Sequence, residues 1–220
     1  MAAIHPDIFS RKFPRRPLLD DPAVREICRE LSPDHEPCLL PITPTPEAKP
    51  QECFFNVEQQ ASSHGGRILY GWALWIWPDV FIEAEHHAVW DDGSRLHDIT
   101  PRADDEEMTL FLPDPSRTYD FVGERRIDNQ RRALSASQNV RVLLDTYAER
   151  AAFFEANSVG RTISMNPQEL QHIQDRVMMA SAHVLIGLAS SRGRNDRCIC
   201  ASGRKFKKCC SPLIDLTATE

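Results

Sequence analysis

The chain has 220 residues, a formal net charge of −6 at pH 7, 41% hydrophobic residues and 26% charged ones. That length can bury a real core, in one domain or one domain with small appendages, and the composition excludes a wholly disordered or collagen-like chain. The longest apolar run, Ile68 to Trp77, stops at Pro78, far short of the roughly 20 residues of a membrane helix.

Residues 1–49 read as a proline-rich, extended arm, because prolines at 14, 17, 22, 33, 37, 41, 44 and 46 interrupt regular structure. Its basic start has no apolar stretch behind it, so no secretory signal is read there and a reducing cytoplasm is the expected setting. One short helix fits, Pro22 to Leu31, with Asp21 as its cap and Pro22 at its first position. Cys28, His35 and Cys38 are either half of a metal site or ordinary core and surface residues.

Residues 50–137 read as an α+β core. Gln51 to Ser63 suits a helix that Gly65-Gly66 stops. Arg67 to Trp77, Val80 to Trp90 and Arg95 to Thr100 are rich in aromatic and branched side chains and predict three antiparallel strands. Thr109 to Leu112 and Tyr119 to Val122 are weaker strand candidates. If Asp92-Gly93 forms a two-residue turn, Trp90 faces Arg95, Val89 faces Leu96, and His87 faces Asp98. Opposed residues hold their Cβ atoms about 4.5–5.5 Å apart, so Asp98 would orient His87. Cys53 falls in the first turn of the predicted helix, where unpaired N–H groups favour a thiolate. A histidine held by a carboxylate beside such a thiol would keep it ionised and carry its proton.

The order is Cys53 at a helix start, Gly65-Gly66-Arg67-Ile68 before a strand, His87-Ala88-Val89-Trp90 within one, and Asp98-Ile99-Thr100-Pro101 in the next. It resembles the core of the transglutaminase-like branch of papain-type thiol enzymes. The resemblance spans about 50 residues and implies Cys53 as nucleophile, His87 as base and Asp98 as orienting acid, acting on an amide or peptide. A plainer reading stays open: Cys53 as a small buried hydrophobe, His87 as a satisfied strand histidine, and His86 and His97 as core residues or part of a metal site. Trp72, Trp75, Trp77 and Trp90 suit packing, with Trp90 opposite Arg95 as a cation–π pair.

Residues 138–190 turn helical. Val140, Leu143, Leu144, Tyr147 and Ala151 recur at helical spacing; Asn166-Pro167-Gln168-Glu169 starts a second helix whose stripe runs through Leu170, Ile173, Val177, Val184 and Leu188.

Residues 191–213 differ from everything before them. Between Ser191 and Cys210 stand seven basic residues opposed only by Asp196, on a chain that is otherwise acidic. Cys198, Cys200, Cys209 and Cys210 fall within 13 residues. Four thiols so close suit a tetrahedral zinc site, which would supply the folding free energy of a segment too short for its own core. The run from Arg194-Asn195-Asp196 through the four cysteines, with Ser202, Gly203, Lys205, Phe206 and Lys207 between them, resembles the SEC-C motif. Arg197 and Ile199 replace the usual prolines and Ala201 the usual glycine, but every ligand position is kept. The resemblance implies zinc, a bacterial-type cytosolic protein, and a module that contacts partner proteins.

The fold class expected is α+β: an extended arm, a helix with a small antiparallel sheet, two C-terminal helices and a small zinc module. The first functional hypothesis is a protein-interaction protein docking through its basic zinc module. The second is a thiol hydrolase or acyltransferase using Cys53, His87 and Asp98. Nucleic acid is the weaker partner, since Phe206 alone offers a base little to stack on and the acidic body would repel phosphates.

Overall fold

The computed structural model describes residues 2–11, 13–102, 106–160 and 162–217. Its elements are α+β. Strand β1 (Ala3–Ile4) precedes a single 3-10 turn that buries Ile8. Helix α1 (Pro22–Leu31) starts as expected, the Asp21 carboxylate accepting from Ala23 N at 2.9 Å. Strand β2 (Cys38–Pro41) follows. Helix α2 (Cys53–His64) is ended by Gly65 at φ 77°. The long strands β3 (Arg67–Trp77) and β4 (Phe81–Asp91) are joined by a tight turn, in which Val80 N donates to Trp77 O. Then come β5 (Leu96–His97), β6 (Met108–Pro113) and β7 (Gln130–Ala133). Helix α3 (Gln138–Ala156), the short pair β8 (Ser158–Val159) and β9 (Thr162–Ile163), helix α4 (Pro167–Ser190) and β10 (Ile214–Asp215) complete the described chain. No helix among the described residues is long and apolar enough to cross a membrane.

The chain divides into two compact units. One comprises Arg15–Ile76 and Ile82–Arg132. Its strand order is β2-β6-β3-β4-β5, with β7 also on β4. A parallel bridge between Ile42 and Asp98, where Thr43 N donates to Asp98 O at 2.8 Å, joins the two ends of that path into a ring. Leu40, Val89 and Phe111 pack together in one buried cluster, with Leu69 and Leu96 against them. In a second cluster, Phe54 and Val57 of α2 pack with Ala88, Ile99 and Tyr119.

The other unit comprises Met1–Pro14, Trp77–Phe81 and Ala133–Glu220. Helices α3 and α4 pack on each other through Val140, Leu143, Val184 and Leu185, and the four C-terminal cysteines, Ile199 and Phe206 share that buried cluster. The Asn166 side chain caps α4, accepting from Gln168 N at 2.8 Å.

Three local expectations are corrected. The hairpin turns one residue later than expected, around Gly93-Ser94: Asp92 N donates to Arg95 O at 3.2 Å, Asp92 Oδ1 accepts from Ser94 N, Ser94 Oγ and Arg95 N, and the register pairs Trp90 with His97 and Asp91 with Leu96. Trp90 therefore stacks near His97, with ring centroids 5.1 Å apart, and not on Arg95. Tyr119 to Val122 is no strand; Asp120 folds back to accept from Val122 N and Gly123 N, while Tyr119 stacks on Phe54 at 4.4 Å. Strands β2 and β7 have no counterpart in the sequence reading, since each depends on a distant partner, β6 and β4 respectively.

Candidate active site and metal centre

The first site lies in the unit that holds the sheet. Cys53 opens α2 after Glu52, whose side chain makes no capping bond. The Asn56 side chain fixes this helix start: its Oδ1 accepts from Lys49 N at 2.9 Å, and its Nδ2 donates to Lys49 O at 2.8 Å and Thr100 Oγ1 at 3.2 Å. One amide thus closes the loop before Cys53 and ties it to the segment carrying Asp98.

His87 and Asp98 are buried, at 4% and 0% exposure. His87 Nε2 is 3.1 Å from Asp98 Oδ2. The one-residue displacement of the turn moves the pairing by two positions, so these residues are diagonal rather than directly opposed. A two-residue offset preserves the face of a strand, and diagonal neighbours stay within reach of long side chains. Asp98 Oδ2 also accepts from Thr109 Oγ1 at 2.6 Å, and Oδ1 from Thr100 N at 3.2 Å.

Cys53 lies near enough to His87 to act on its charge, after Asp98. Asp98 engages Nε2 of His87. Burial disfavours the imidazolium, but the Asp98 carboxylate and the Cys53 sulfur outweigh it and hold the His87 pKa well above the ordinary histidine value. Burial likewise works against an ionised Asp98; the His87 charge and the hydrogen bonds from His87, Thr109 and Thr100 prevail and hold its pKa below the usual carboxylate range. The two directions agree, and both describe an ion pair.

A cleft of about 310 Å³ lies over Cys53 and His87, lined also by Gln51, Glu85, Arg102 and Arg126. A thiol, an imidazole and a buried carboxylate in series at the floor of a cleft can perform nucleophilic attack with proton transfer. Gln51 adopts a left-handed backbone at φ 63°, and its carbonyl accepts from Arg126 Nη2 at 3.3 Å.

The remaining singled-out side chains have packing roles. His86 Nε2 lies 2.6 Å from Arg117 O, and its ring sits between Phe54 and Trp72 at 4.8 and 5.5 Å. Burial lowers its pKa. His97 Nε2 lies 2.8 Å from Asp92 Oδ2. The indoles of Trp72, Trp75 and Trp90 donate to Asp114, Glu85 and the Gly65 carbonyl respectively. Cys28 is buried in α1 with its thiol pushed up to about 11 by burial and then by Glu36; burial also raises Cys38. Among the described residues, Cys28, His35 and Cys38 form no metal-binding group.

The second site lies in the helical unit. The sulfurs of Cys198, Cys200, Cys209 and Cys210 all lie within 4.8 Å of one another, and all four residues are buried. The segment turns at Ala201 and Gly203, both with positive φ, and a 3-10 turn over Phe206–Lys208 brings the second pair back. Backbone bonds from Cys198 N to Arg204 O and from Phe206 N to Asp196 O, both 2.8 Å, hold the two halves together. Sulfurs at about 2.3 Å from a shared ion would be about 3.8 Å apart in a tetrahedron. The quartet fits that size, with Cys200 and Cys209 sulfurs 3.5 Å apart. Burial pushes the Cys198 and Cys210 thiols up. Burial acts the same way on Cys200, but hydrogen bonds from Ser202, Cys209 and Cys198 overcome it and bring that thiol down to about 7. Arg204 Nη2 donates to the Cys209 sulfur at 3.0 Å and so brings positive charge to the quartet. The four soft donors and their spacing are those of a divalent-metal site.

Sequence reasoning missed Thr109, Thr100 and Asn56. Thr109 is the polar residue that starts the buried run Thr109–Leu112, and Asn56 follows Cys53 by one helical turn; those positions were the only signals available.

Compared with known families, residues 194–212 match the SEC-C motif. No curated protein and no solved structure matches the chain. The C-terminal segment is thus a SEC-C motif with a cysteine cluster able to bind a metal.

Proposed function

We infer that the unit carrying Cys53 is a thiol hydrolase or acyltransferase acting on an amide or peptide. The observation that supports this most is the series Cys53–His87–Asp98 beneath one cleft, with the His87–Asp98 hydrogen bond at 3.1 Å. The transglutaminase-like resemblance of the same stretch agrees with it. In this mechanism the proton of the Cys53 thiol already rests on His87, and the Cys53 sulfur attacks the substrate carbonyl carbon. Asp98 stabilises the resulting imidazolium and holds the ring in place. The positive end of the α2 dipole suits the tetrahedral oxyanion. When the intermediate collapses, the C–N bond breaks, His87 protonates the leaving amine, and an acyl thioester remains on Cys53. Water then releases an acid, or a second amine takes the acyl group.

The test is alkylation with iodoacetamide at pH 6, followed peptide by peptide. Cys53 should react selectively, while Cys28 and Cys38, both raised by burial, should lag. Equal labelling of the three would refute the thiol-enzyme reading. A fluorophosphonate probe for serine nucleophiles should leave the protein unlabelled.

A second reading concerns the C-terminal module and stands beside the first. It binds Zn²⁺ through Cys198, Cys200, Cys209 and Cys210 and docks on a protein partner inside the cell. Arg194, Arg197, Lys205 and Lys208 are exposed around the quartet, which suits an acidic protein surface. Elemental analysis should find about one zinc per chain. A pull-down comparing the native chain with Lys205→Glu/Lys208→Glu should lose the partner while keeping the metal; unchanged capture would refute the basic surface as the contact.

A further inference from the structure

Thr109 stands outside the cleft, yet it touches the residue on which the candidate site depends. It is 0% exposed, sits on β6 opposite Leu40, and is followed by the buried Leu110, Phe111 and Leu112. A hydroxyl in such surroundings needs a partner. It has one, donating to Asp98 Oδ2 at 2.6 Å, the same oxygen that lies 3.1 Å from His87 Nε2. Thr100 N, at 3.2 Å, engages the other oxygen. An ionised carboxylate only accepts hydrogen bonds, so the Thr109 hydroxyl and the Thr100 N–H as donors, with His87 Nε2 beside them, suit a charged Asp98. Thr109 and Asp98 also come from different parts of the strand ring. The Thr109 contact therefore fixes the carboxylate independently of the hairpin that carries His87.

We propose that Thr109 is a positioning residue of the Cys53–His87–Asp98 series, whose hydroxyl keeps Asp98 ionised and aimed at His87. The proposal rests on the thiol-enzyme reading of this site. Without the hydroxyl, Asp98 loses a donor that favours its charged form, and its plane is no longer fixed. The imidazolium of His87 is then less well stabilised, and so is the thiolate it faces. The titratable and charged groups around His87 are Asp98 at hydrogen-bonding distance, Cys53 nearby, His86 and Glu85 on β4, and Arg102 and Arg126 lining the same cleft. Among these groups Thr109 is hydrogen-bonded to Asp98, so its substitution acts through that carboxylate.

The experiment uses the full-length, metal-loaded chain and measures the rate of Cys53 alkylation by iodoacetamide, resolved by peptide, from pH 5 to pH 9. Thr109→Val keeps the shape and removes the donor. It should raise the pH midpoint of Cys53 reactivity by about one unit and slow alkylation at pH 6 about tenfold. Thr109→Ser keeps a hydroxyl and should restore the native midpoint. A purely structural role predicts something different: a lower unfolding temperature in both variants, with the pH profile of the folded protein unchanged. That result would overturn the proposal, as would a midpoint that moves down in Thr109→Val. Should Thr109→Val not fold, Thr109→Cys fills the same space with a weak donor and should give an intermediate midpoint. An unchanged midpoint there overturns the proposal equally. Failure of the native protein to label Cys53 ahead of Cys28 and Cys38 would instead remove the thiol-enzyme reading itself.

Discussion

Replacing Asp98 with Asn tests whether the buried pair is ionic. The change is close to isosteric; it removes the negative charge facing His87 Nε2 across 3.1 Å and turns one accepting oxygen into a donating NH2. Breaking a buried ion pair by removing one partner destabilises by about 3–5 kcal/mol, because the other charge is left uncompensated. With His87 at 4% exposure and Asp98 at 0%, solvent gives little relief. The loss should also depend on pH. His87 is raised in the folded state, so its stabilising contribution is complete below the unfolded value of about 6.5 and fades as pH rises through the higher folded value. Asp98 is lowered, so its contribution is complete above about pH 4 and fades as pH falls through its folded value. The pair therefore contributes fully between about pH 4 and pH 6.5. In Asp98→Asn, burial drives His87 to its neutral form, and the variant loses this pH dependence. Urea unfolding followed by tryptophan fluorescence at several pH values measures it, since Trp72, Trp75 and Trp90 lie in the same unit. The deficit should be about 3 kcal/mol at pH 6 and shrink steadily on the alkaline side. A deficit that stays constant with pH, or falls below about 0.5 kcal/mol at pH 6, would refute the ion pair and with it the proposed role of Asp98.

If the cysteine cluster holds a metal, chelation should unfold the C-terminal module and leave the sheet-bearing unit folded, because the four cysteines are buried in the core cluster of the helical unit. Cys209→Ser should behave like chelation; hydrogen exchange of residues 194–212 reads both, and protection that survives either treatment would count against a structural metal. Gly71→Ala tests strand packing: a Cβ there would press on the Leu112 carbonyl and come within 2.6 Å of Phe111 Cζ. It should destabilise by about 1–3 kcal/mol, and an unfolding midpoint equal to the native one would show that β3 and β6 can part more easily than their packing suggests.

Local chemistry decided much of this protein before any tertiary contact formed. Asp21 before Pro22 and Asn166 before Pro167 start α1 and α4, because a side-chain cap and a preset φ act within one turn. The spacing of Cys198, Cys200, Cys209 and Cys210 brings four sulfurs together, because 13 residues with turns at Ala201 and Gly203 can reach few other arrangements. Alternation along β4 put His87 on one face and His86 on the other for the same local reason. The register opposite His87 was decided otherwise, by three hydrogen bonds to the Asp92 side chain that an Asp-Gly pair does not announce. Long-range pairing decided more still. Strand β2 acquires its place from β6, some seventy residues away, the Ile42–Asp98 bridge closes the ring, and Thr109 meets Asp98 across it. A buried hydroxyl and a buried carboxylate find each other only when the strands that carry them have docked, so the environment that would make Cys53 and His87 reactive belongs to the assembled ring and to no segment of the chain.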